Sequence, residues 1–493
     1  MRTLTAVFVL ICVTIAENSF AQAPIRDAVV KIHTTRRPPD FVRPWSKSRP
    51  QQISGTGTVI AGQRILTNAH VVSYASRIYV QANQSSQRKP ASVVAIAPEM
   101  DLAVITVDDK EFFAGRPTLE LASDMPKLKD AVNVYGYPIG GQQMSITEGI
   151  VSRIEAAAYV LDGFGLRIQV DAALNPGNSG GPAIANGKIL GLVVSGIRNA
   201  ENIGYLIPAE EIQTFLEDVA DGTYDGKLRL FGRFQTVENE ALRHKLKLDP
   251  HQGGMMVTEP IREDDTYPLR EFDVITHVGD YELDRQGKIQ VQQNLKLTFH
   301  YAVPKLAKHG SVPLRILRAG ETLSVEVPVT AHRDRLIRPL RGKYPSHFIY
   351  GPMLFTAASQ DLLTRLRGAG ATVLSLRDSP LFKRSRDKPA FPGEELVILG
   401  SRLFPHRIAE GYDPQFFAVV SDVNGLKVKN LTHLVEVLRD TEDEFVVLRL
   451  AGSYETLAFR RDELADATEE ILEDEGIRYQ FSDDLKQIWQ GAN

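Results

Sequence analysis

The sequence predicts a mainly β chain, with two β-barrels in the first 210 residues, two small α/β modules after them, and an acidic helical tail. Three observations predict this. Short apolar runs recur between Gly, Pro and Asn up to residue 208, without long helical patterns between them. Two strands, a helix and a closing hairpin are then used twice over. The last 30 or so residues place acidic side chains at helical spacing.

The 493 residues are 43% hydrophobic and 24% charged, which builds packed cores and excludes a mainly disordered or collagen-like chain. At roughly 100–200 residues per domain, about three domains are expected. With 57 basic and 61 acidic residues, net −4, no global positive field exists to hold nucleic acid or an anionic membrane. The single cysteine, Cys12, excludes a disulfide scaffold and a cysteine-ligated metal site. The 11 histidines show no metal-ligand spacing and no glycine loop is built to cradle phosphate, so no cofactor and no metal are expected.

Residues 1–21 read as a signal peptide, with Arg2, an apolar run over 4–16, and small residues at Ser19 and Ala21. Cutting after Ala21 is preferred to cutting after Ala23, which would leave Pro24 next to the scissile bond. The apolar run is short for a bilayer, and no later stretch is long enough to cross one. The expectation is an exported chain, in a bacterial periplasm or secreted, with no stable membrane span once mature.

In order, strands are expected at 28–32, 57–60, 78–81, 92–96, 103–107, 131–135, 168–170 and 189–194, within a first domain over 24–210. Residues 36–53, rich in Pro, Arg and Ser, read as a long exposed loop. Ile212, Phe215, Leu216 and Val219 share a helical face, and 211–228 reads as a linker helix running into a Gly- and Asp-rich stretch. The repeat pairs 273–283 with 418–428. Helical segments follow at 297–306 and 431–440, then strand–turn–strand at 314–329 and 445–459. The modules are placed at 229–331 and 342–461, and the tail at 462–493. Glu469, Glu470, Glu473, Asp474 and Glu475 read as a solvated face, and Lys383-Arg384-Ser385-Arg386 as a solvated loop.

The strongest chemical signal is Asn175-Pro176-Gly177-Asn178-Ser179-Gly180-Gly181-Pro182. A serine hydroxyl needs a base to take its proton and donors to hold the oxyanion that follows. Glycines on both sides let the backbone turn tightly and aim N–H groups inward. The Gly177 and Ser179 N–H groups, with Asn178 N–H beside them, are the expected donors. Taken alone, the same text is a Gly-rich turn. His70 ends an apolar strand, in Leu66-Thr67-Asn68-Ala69-His70-Val71-Val72, where a base can face a cleft; a lone histidine is more often structural. Asp101 opens the buried-looking run Leu102-Ala103-Val104-Ile105, which costs stability unless something pairs with it. It can accept an imidazole Nδ1–H or cap a turn. The chain order His, Asp, Ser is that of the chymotrypsin double barrel, not of subtilisin or the α/β-hydrolases.

At this point the sequence resembles the HtrA/Deg family of serine proteases. The matching text is Ser54-Gly55-Thr56-Gly57-Thr58, Thr67-Asn68-Ala69-His70-Val71-Val72, Asp101-Leu102-Ala103-Val104, Thr147-Glu148-Gly149-Ile150-Val151-Ser152, the serine motif from Asp171 to Pro182, and Asn202-Ile203-Gly204-Tyr205-Leu206-Ile207-Pro208. It covers the whole first domain. The resemblance implies a chymotrypsin-like double barrel followed by two PDZ-like modules. It also implies an ATP-independent endopeptidase for unfolded or damaged proteins, with Ser179 as nucleophile, His70 as base and Asp101 orienting it. By resemblance the specificity pocket is walled by Leu174 and by Val193, Val194, Ser195, Gly196 and Ile197. These are small or apolar, which implies cleavage after Val, Ala or Leu rather than after Lys or Arg. PDZ modules take an extended peptide as an added strand. The carboxylate loop of the first is Phe231-Gly232-Arg233-Phe234, with arginine where an apolar residue is usual, and Phe272 stands where glycine is usual. The second, with Tyr350-Gly351-Pro352-Met353, departs further, and its layout looks most like the plant Deg branch. The family implies trimers or multiples of trimers, and Phe41 and Trp45, read as exposed, are the candidate contact. Two other classes stay open on the sequence: a chaperone-like cage with an inactive triad, and a scaffold that binds peptides without cutting.

Overall fold

The computed structural model describes residues 25–158, 163–194, 204–262, 264–366, 379–452 and 455–491. The expected signal peptide lies outside them. The chain divides into two compact units. One takes in the described residues up to Arg36 and those from Gln52 to Arg333; the other takes in Arg37 to Gln51 and the described residues from Asp334 onward.

In the first unit, β1 (Val29–Arg36), β2 (Gln51–Ile60), β3 (Arg64–Thr67), β4 (Ala75–Ala82), β5 (Arg88–Ala97) and β6 (Leu102–Val107) close a barrel in the order β1-β2-β3-β6-β5-β4. A second barrel is closed by β7 (Ala131–Gly136), β8 (Ser145–Ala158), β9 (Phe164–Val170), β10 (Pro182–Ala185), β11 (Lys188–Val194) and β12 (Gly204–Pro208), in the order β10-β11-β12-β9-β8-β7. Alternating inward side chains fill them, Val30, Ile32 and Ile65 in the first and Val132, Val134, Ile168 and Val170 in the second, all buried. The expected strand runs land on β1, β2, β4, β5, β6, β7, β9 and β11. Helix α1 (Ala209–Asp218) follows β12 and sinks Ile212 and Phe215 into the same apolar cluster as Ile189 and Ile207. It is therefore part of the barrel domain, and not a free linker as expected.

The first module is a sheet ordered β13 (Gly232–Thr236), β14 (Met255–Pro260) and β15 (Val274–Val278), with β16 (Tyr281–Glu282) hairpinned on β15. β17 (Lys288–Gln292) and β18 (Leu295–Thr298) form a separate ladder, and β19 (Ser311–Arg318) and β20 (Glu321–Pro328) complete the sheet beyond β15. The helical segment starts at Phe299, later than expected, because Leu297 and Thr298 are still paired in β18. Phe272 has φ +69, the left-handed region that favours glycine, at the position where glycine is usual. Leu166 of β9 shares this module's core with Val257, Ile275 and Phe299. Glu211 of α1 is 1% exposed. It accepts from Lys227 Nζ at 2.7 and 2.8 Å and from Leu166 N–H at 2.9 Å, the partners a buried carboxylate requires.

The second unit has β21 (His347–Tyr350), β22 (Met353–Ala357), β23 (Val397–Leu399), β24 (Val419–Val423), β25 (Leu426–Lys427), β26 (Phe445–Ala451) and β27 (Thr456–Arg460). The order β22-β23-β24-β26-β27, with β25 on β24 and α2 (Leu431–Asp440) before β26, repeats the first module. The repeated segments fall on β15–β16 and β24–β25, and Phe417, with φ +59, matches Phe272. Two features differ. β21 lies antiparallel along β22, on the edge that its counterpart β13 presents at the end of the first sheet. Helices α3 (Arg461–Asp474) and α4 (Asp483–Gln490) bury Leu464, Ile471 and Leu485, so the tail is integral to the unit while its acidic residues face solvent.

Residues 37–51 belong to this unit too; of the stretch read as an exposed loop, Val42, Arg43, Lys47 and Arg49 are exposed, whereas Pro39, Phe41 and Pro44 are buried. Phe41 is 8% exposed, in a cluster with Leu336, Ile337 and Leu381. Trp45 packs on His347 at 6.3 Å and on Phe404 at 5.8 Å. Much of this aromatic area, costly in water, is covered by the chain itself: Phe41 is buried and Trp45 half-buried, so neither is the fully exposed aromatic expected.

Candidate active site

β3 ends at Thr67, and the single turn Ala69–Val72 buries Ala69, Val71 and Val72. That anchoring leaves the His70 side chain, 44% exposed, on the open side. Asp101, just before β6, has φ +57, which aspartate tolerates, and Asn68 Nδ2 donates to its carbonyl at 2.9 Å. The carboxylate meets His70 twice. His70 N–H donates to Oδ1 at 3.0 Å, and Nδ1 lies 2.8 Å from Oδ2 and 3.0 Å from Oδ1. A carboxylate only accepts, so Nδ1 carries the proton and the Nε2 lone pair is left to act as a base.

Ser179 lies in a turn between Gly177, φ +102, and Gly180, φ +84. A Cβ on Gly177 would come within 2.4 Å of Tyr137 O, and one on Gly180 within 2.2 Å of Thr56 O, so both positions require glycine. Three carbonyls of the turn are held from outside it. Pro176 O accepts from Ile139 N–H at 2.7 Å, Gly177 O from Thr56 Oγ1 at 2.8 Å and Ser179 O from Thr56 N–H at 2.8 Å. In a trans peptide the N–H points opposite the carbonyl, so the bond at Pro176 O turns Gly177 N–H away from Ile139. Asn178 N–H, expected beside the other donors, instead closes the turn onto Asn175 O at 3.0 Å and is not offered to a ligand. Gly55 on β2 separates the histidine turn from the serine: a Cβ there would meet Val71 at 2.7 Å and Ser179 O at 3.3 Å. The strand carrying Gly55 and Thr56 thus brings the two halves of the site together.

Leu174 leans over Gly204, where an added Cβ would lie 2.3 Å from its Cδ1. Val193 is fully buried; its carbonyl accepts from Gly180 N–H at 3.0 Å and its N–H donates to Gly181 O at 2.9 Å, so it backs the serine turn. Val194 is half-buried, and Ser195, Gly196 and Ile197 lie outside the described residues. The loop before the serine is tied to β8, by Ile150 N–H to Asp171 Oδ1 at 2.6 Å and Thr147 Oγ1 to Ala173 O at 3.1 Å. In the first module Gly232 opens β13, Arg233 turns out to Glu259 at 2.9 Å, Arg229 lies over the Phe231 ring, and Phe234 faces Phe299 and His300, both at 5.6 Å. Burial, with the Arg229 charge adding to it, pushes the His300 imidazole down to about 4, so it is neutral at pH 7. Among the described residues no group of three or more His, Cys, Asp or Glu is placed to hold a metal ion, and no helix is long and apolar enough to cross a membrane. Reading the sequence alone missed Thr56, Asn68 and Asp171; a hydroxyl between two glycines at Thr56 was the available signal.

Two closed six-stranded barrels carrying a histidine–aspartate pair and a glycine-flanked serine define a trypsin-like peptidase. The trypsin-like peptidase domain family matches residues 55–192, and the PDZ domain family matches residues 339–484. The chain is 31% identical over 468 residues to protease Do-like 2, chloroplastic, of Arabidopsis thaliana, covering 94% of this chain and 76% of that protein. It is 34% identical over 424 residues to protease Do-like 4, mitochondrial, of the same plant, covering 85% and 78%. Among solved structures it is similar to the HtrA-type protease AlgW with tripeptide, at 23% identity and TM-score 0.49, over 64% of this chain and 96% of that one. The chain belongs to the Deg/HtrA family of serine proteases and is a serine-type endopeptidase.

Proposed function

We propose that the chain cuts unfolded or damaged proteins through His70, Asp101 and Ser179. His70 Nε2 takes the Ser179 Oγ proton as Oγ attacks the carbonyl carbon, and Gly177 and Ser179 N–H receive the oxyanion. Collapse breaks the C–N bond, and the imidazolium, supported by Asp101, gives its proton to the leaving amine. Water then repeats the sequence and frees the acid. The observation that carries this reading is the double hold of Asp101 on His70, which fixes both the ring and its tautomer. The held Pro176 and Gly177 carbonyls favour a ready oxyanion turn over a latent one.

Leu174, Val193 and Val194 leave an apolar wall, supporting cleavage after Val, Ala or Leu. The first module offers edge strand β13, beside Phe231-Gly232-Arg233-Phe234, to an extended peptide end. In the second module β21 already lies along the corresponding edge, and Phe348 is buried in a core with Leu431 and Leu434. That module is assigned architecture rather than capture. Export rests on residues 1–21, and assembly in trimers rests on family membership, tested by mass in solution. Casein digestion tests the whole: wild type should cut it, mostly after aliphatic residues, and Ser179→Ala should not. Equal digestion by both, or a majority of cuts after Lys and Arg, would contradict the reading.

A further inference from the structure

We propose that Thr56 is a positioning residue of this site, its hydroxyl setting the peptide planes of the oxyanion turn and hence the direction of Gly177 N–H. Resting on the serine-hydrolase reading above, the assignment extends the site to a residue of the opposite barrel, 121 positions from Gly177.

Thr56 is 0% exposed, and a buried hydroxyl needs partners. It has one proton to give and lone pairs to receive. Tyr137 N–H, which can only donate, lies 2.9 Å from Thr56 Oγ1. The hydroxyl proton is therefore committed to Gly177 O, 2.8 Å away. The same residue's N–H holds Ser179 O at 2.8 Å, and its carbonyl takes Thr67 Oγ1 at 2.8 Å. One residue thus grips the turn on both sides of Asn178 and anchors it to the strand that leads into the histidine turn.

Gly177 N–H belongs to the peptide plane held through Pro176 O, and the next plane is held through Gly177 O. With both planes fixed, the rotations about Gly177 Cα are fixed, including its φ of +102. Glycine itself resists nothing, so the restraint comes from these two bonds together with Asn178 N–H on Asn175 O, which holds the other side of the Gly177–Asn178 plane. Of these, Thr56 controls the bonds at Pro176 O and Gly177 O. It makes the second directly, and by accepting from Tyr137 it steadies the segment whose Ile139 N–H makes the first. Removing the hydroxyl leaves Tyr137 N–H and Gly177 C=O buried without this partner, and rotation of a glycine peptide is the easiest relief.

The test compares Thr56→Val, which keeps the shape and loses the hydroxyl, with Thr56→Ser, which keeps the hydroxyl. The readouts are kcat and KM on a peptide ending in Val or Ala at the cut, and affinity for a peptide aldehyde, whose adduct with Ser179 places an oxyanion in the hole. Thr56→Val should lower kcat about 10- to 100-fold, leave KM within about threefold, and weaken the aldehyde by the same factor as kcat; Thr56→Ser should stay within about threefold throughout. A Thr56→Val kcat within about threefold of wild type, or a loss confined to KM, overturns the assignment. If circular dichroism shows Thr56→Val unfolded, Thr56→Cys, with a weak S–H donor, takes its place under the same criteria. Wild type no more active than Ser179→Ala would overturn the hydrolytic reading and the assignment together, whereas active wild type beside an equally active Thr56→Val overturns the assignment alone.

Discussion

Asparagine in place of Asp101 should invert the histidine. His70 N–H, 3.0 Å from Oδ1, is a donor that cannot become an acceptor. The carboxamide must therefore turn its oxygen to that N–H, which puts its NH2 at the Oδ2 position, 2.8 Å from His70 Nδ1. Two N–H groups cannot face each other, so the ring accepts at Nδ1 and carries its proton on Nε2. That tautomer cannot take the serine proton. A tautomer inversion of this kind costs about 10⁴-fold in kcat, or about 5 kcal/mol at roughly 1.4 kcal/mol per decade. Folding should hardly change, because the amide fills the same volume and keeps both contacts. The assay is kcat and KM on a peptide substrate near pH 8, with a thermal melt by far-UV circular dichroism alongside. Asp101→Asn should lose about 10⁴-fold in kcat with KM within about threefold and an unchanged melt. A kcat within about tenfold of wild type would refute the tautomer argument and the role given to Asp101.

Glu211→Ala strands Lys227 Nζ and Leu166 N–H beside the α1 helix and should cost the first unit about 3–5 kcal/mol in urea unfolding followed by circular dichroism; a loss under about 1 kcal/mol would contradict the buried pair. Both tryptophans, Trp45 and Trp489, lie in the second unit, so their fluorescence reports its unfolding alone. By that signal Phe41→Ala should lose about 3–5 kcal/mol, and no change would return residues 37–51 to the status of a free loop. Burial pushes His347 down to about 4 from 6.5, against the opposing pull of Asp484. The unfolded chain then binds the proton through that window while the folded one does not, so stability is full above pH 6.5 and falls as pH drops toward 4, by about 3 kcal/mol in all. His347→Phe should flatten that acid slope, and an unchanged slope would contradict the burial argument.

The histidine–aspartate pair and the serine turn were legible because their chemistry demands local text: glycines on both sides of Ser179, and His70 and Asp101 each at one end of an apolar strand. The repeated module was legible because hairpin and helix spacings survive sequence drift. Strands β8, β10 and β12 were not foreseen; β8 carries Thr, Glu, Gly and Arg among its apolar residues, and β10 has only four residues. Phe41 was misread because its partners lie some 300 positions away, while its neighbours are Pro, Arg and Asp, which read as solvent-facing. Thr56, between two glycines, shows no role in the sequence, since its hydroxyl acquires one only when the two barrels meet. Asn178 N–H reads as a donor in the sequence because spacing cannot show that the turn closes on Asn175.

Labelling with a fluorophosphonate asks most directly whether Ser179 is an activated alcohol, because the reagent phosphorylates a serine readily only where a base and oxyanion donors stand ready. Peptide mass analysis of the full chain should find a single adduct, on Ser179, that disappears in His70→Ala. An unlabelled wild type, an adduct elsewhere, or labelling undiminished without His70 would contradict it.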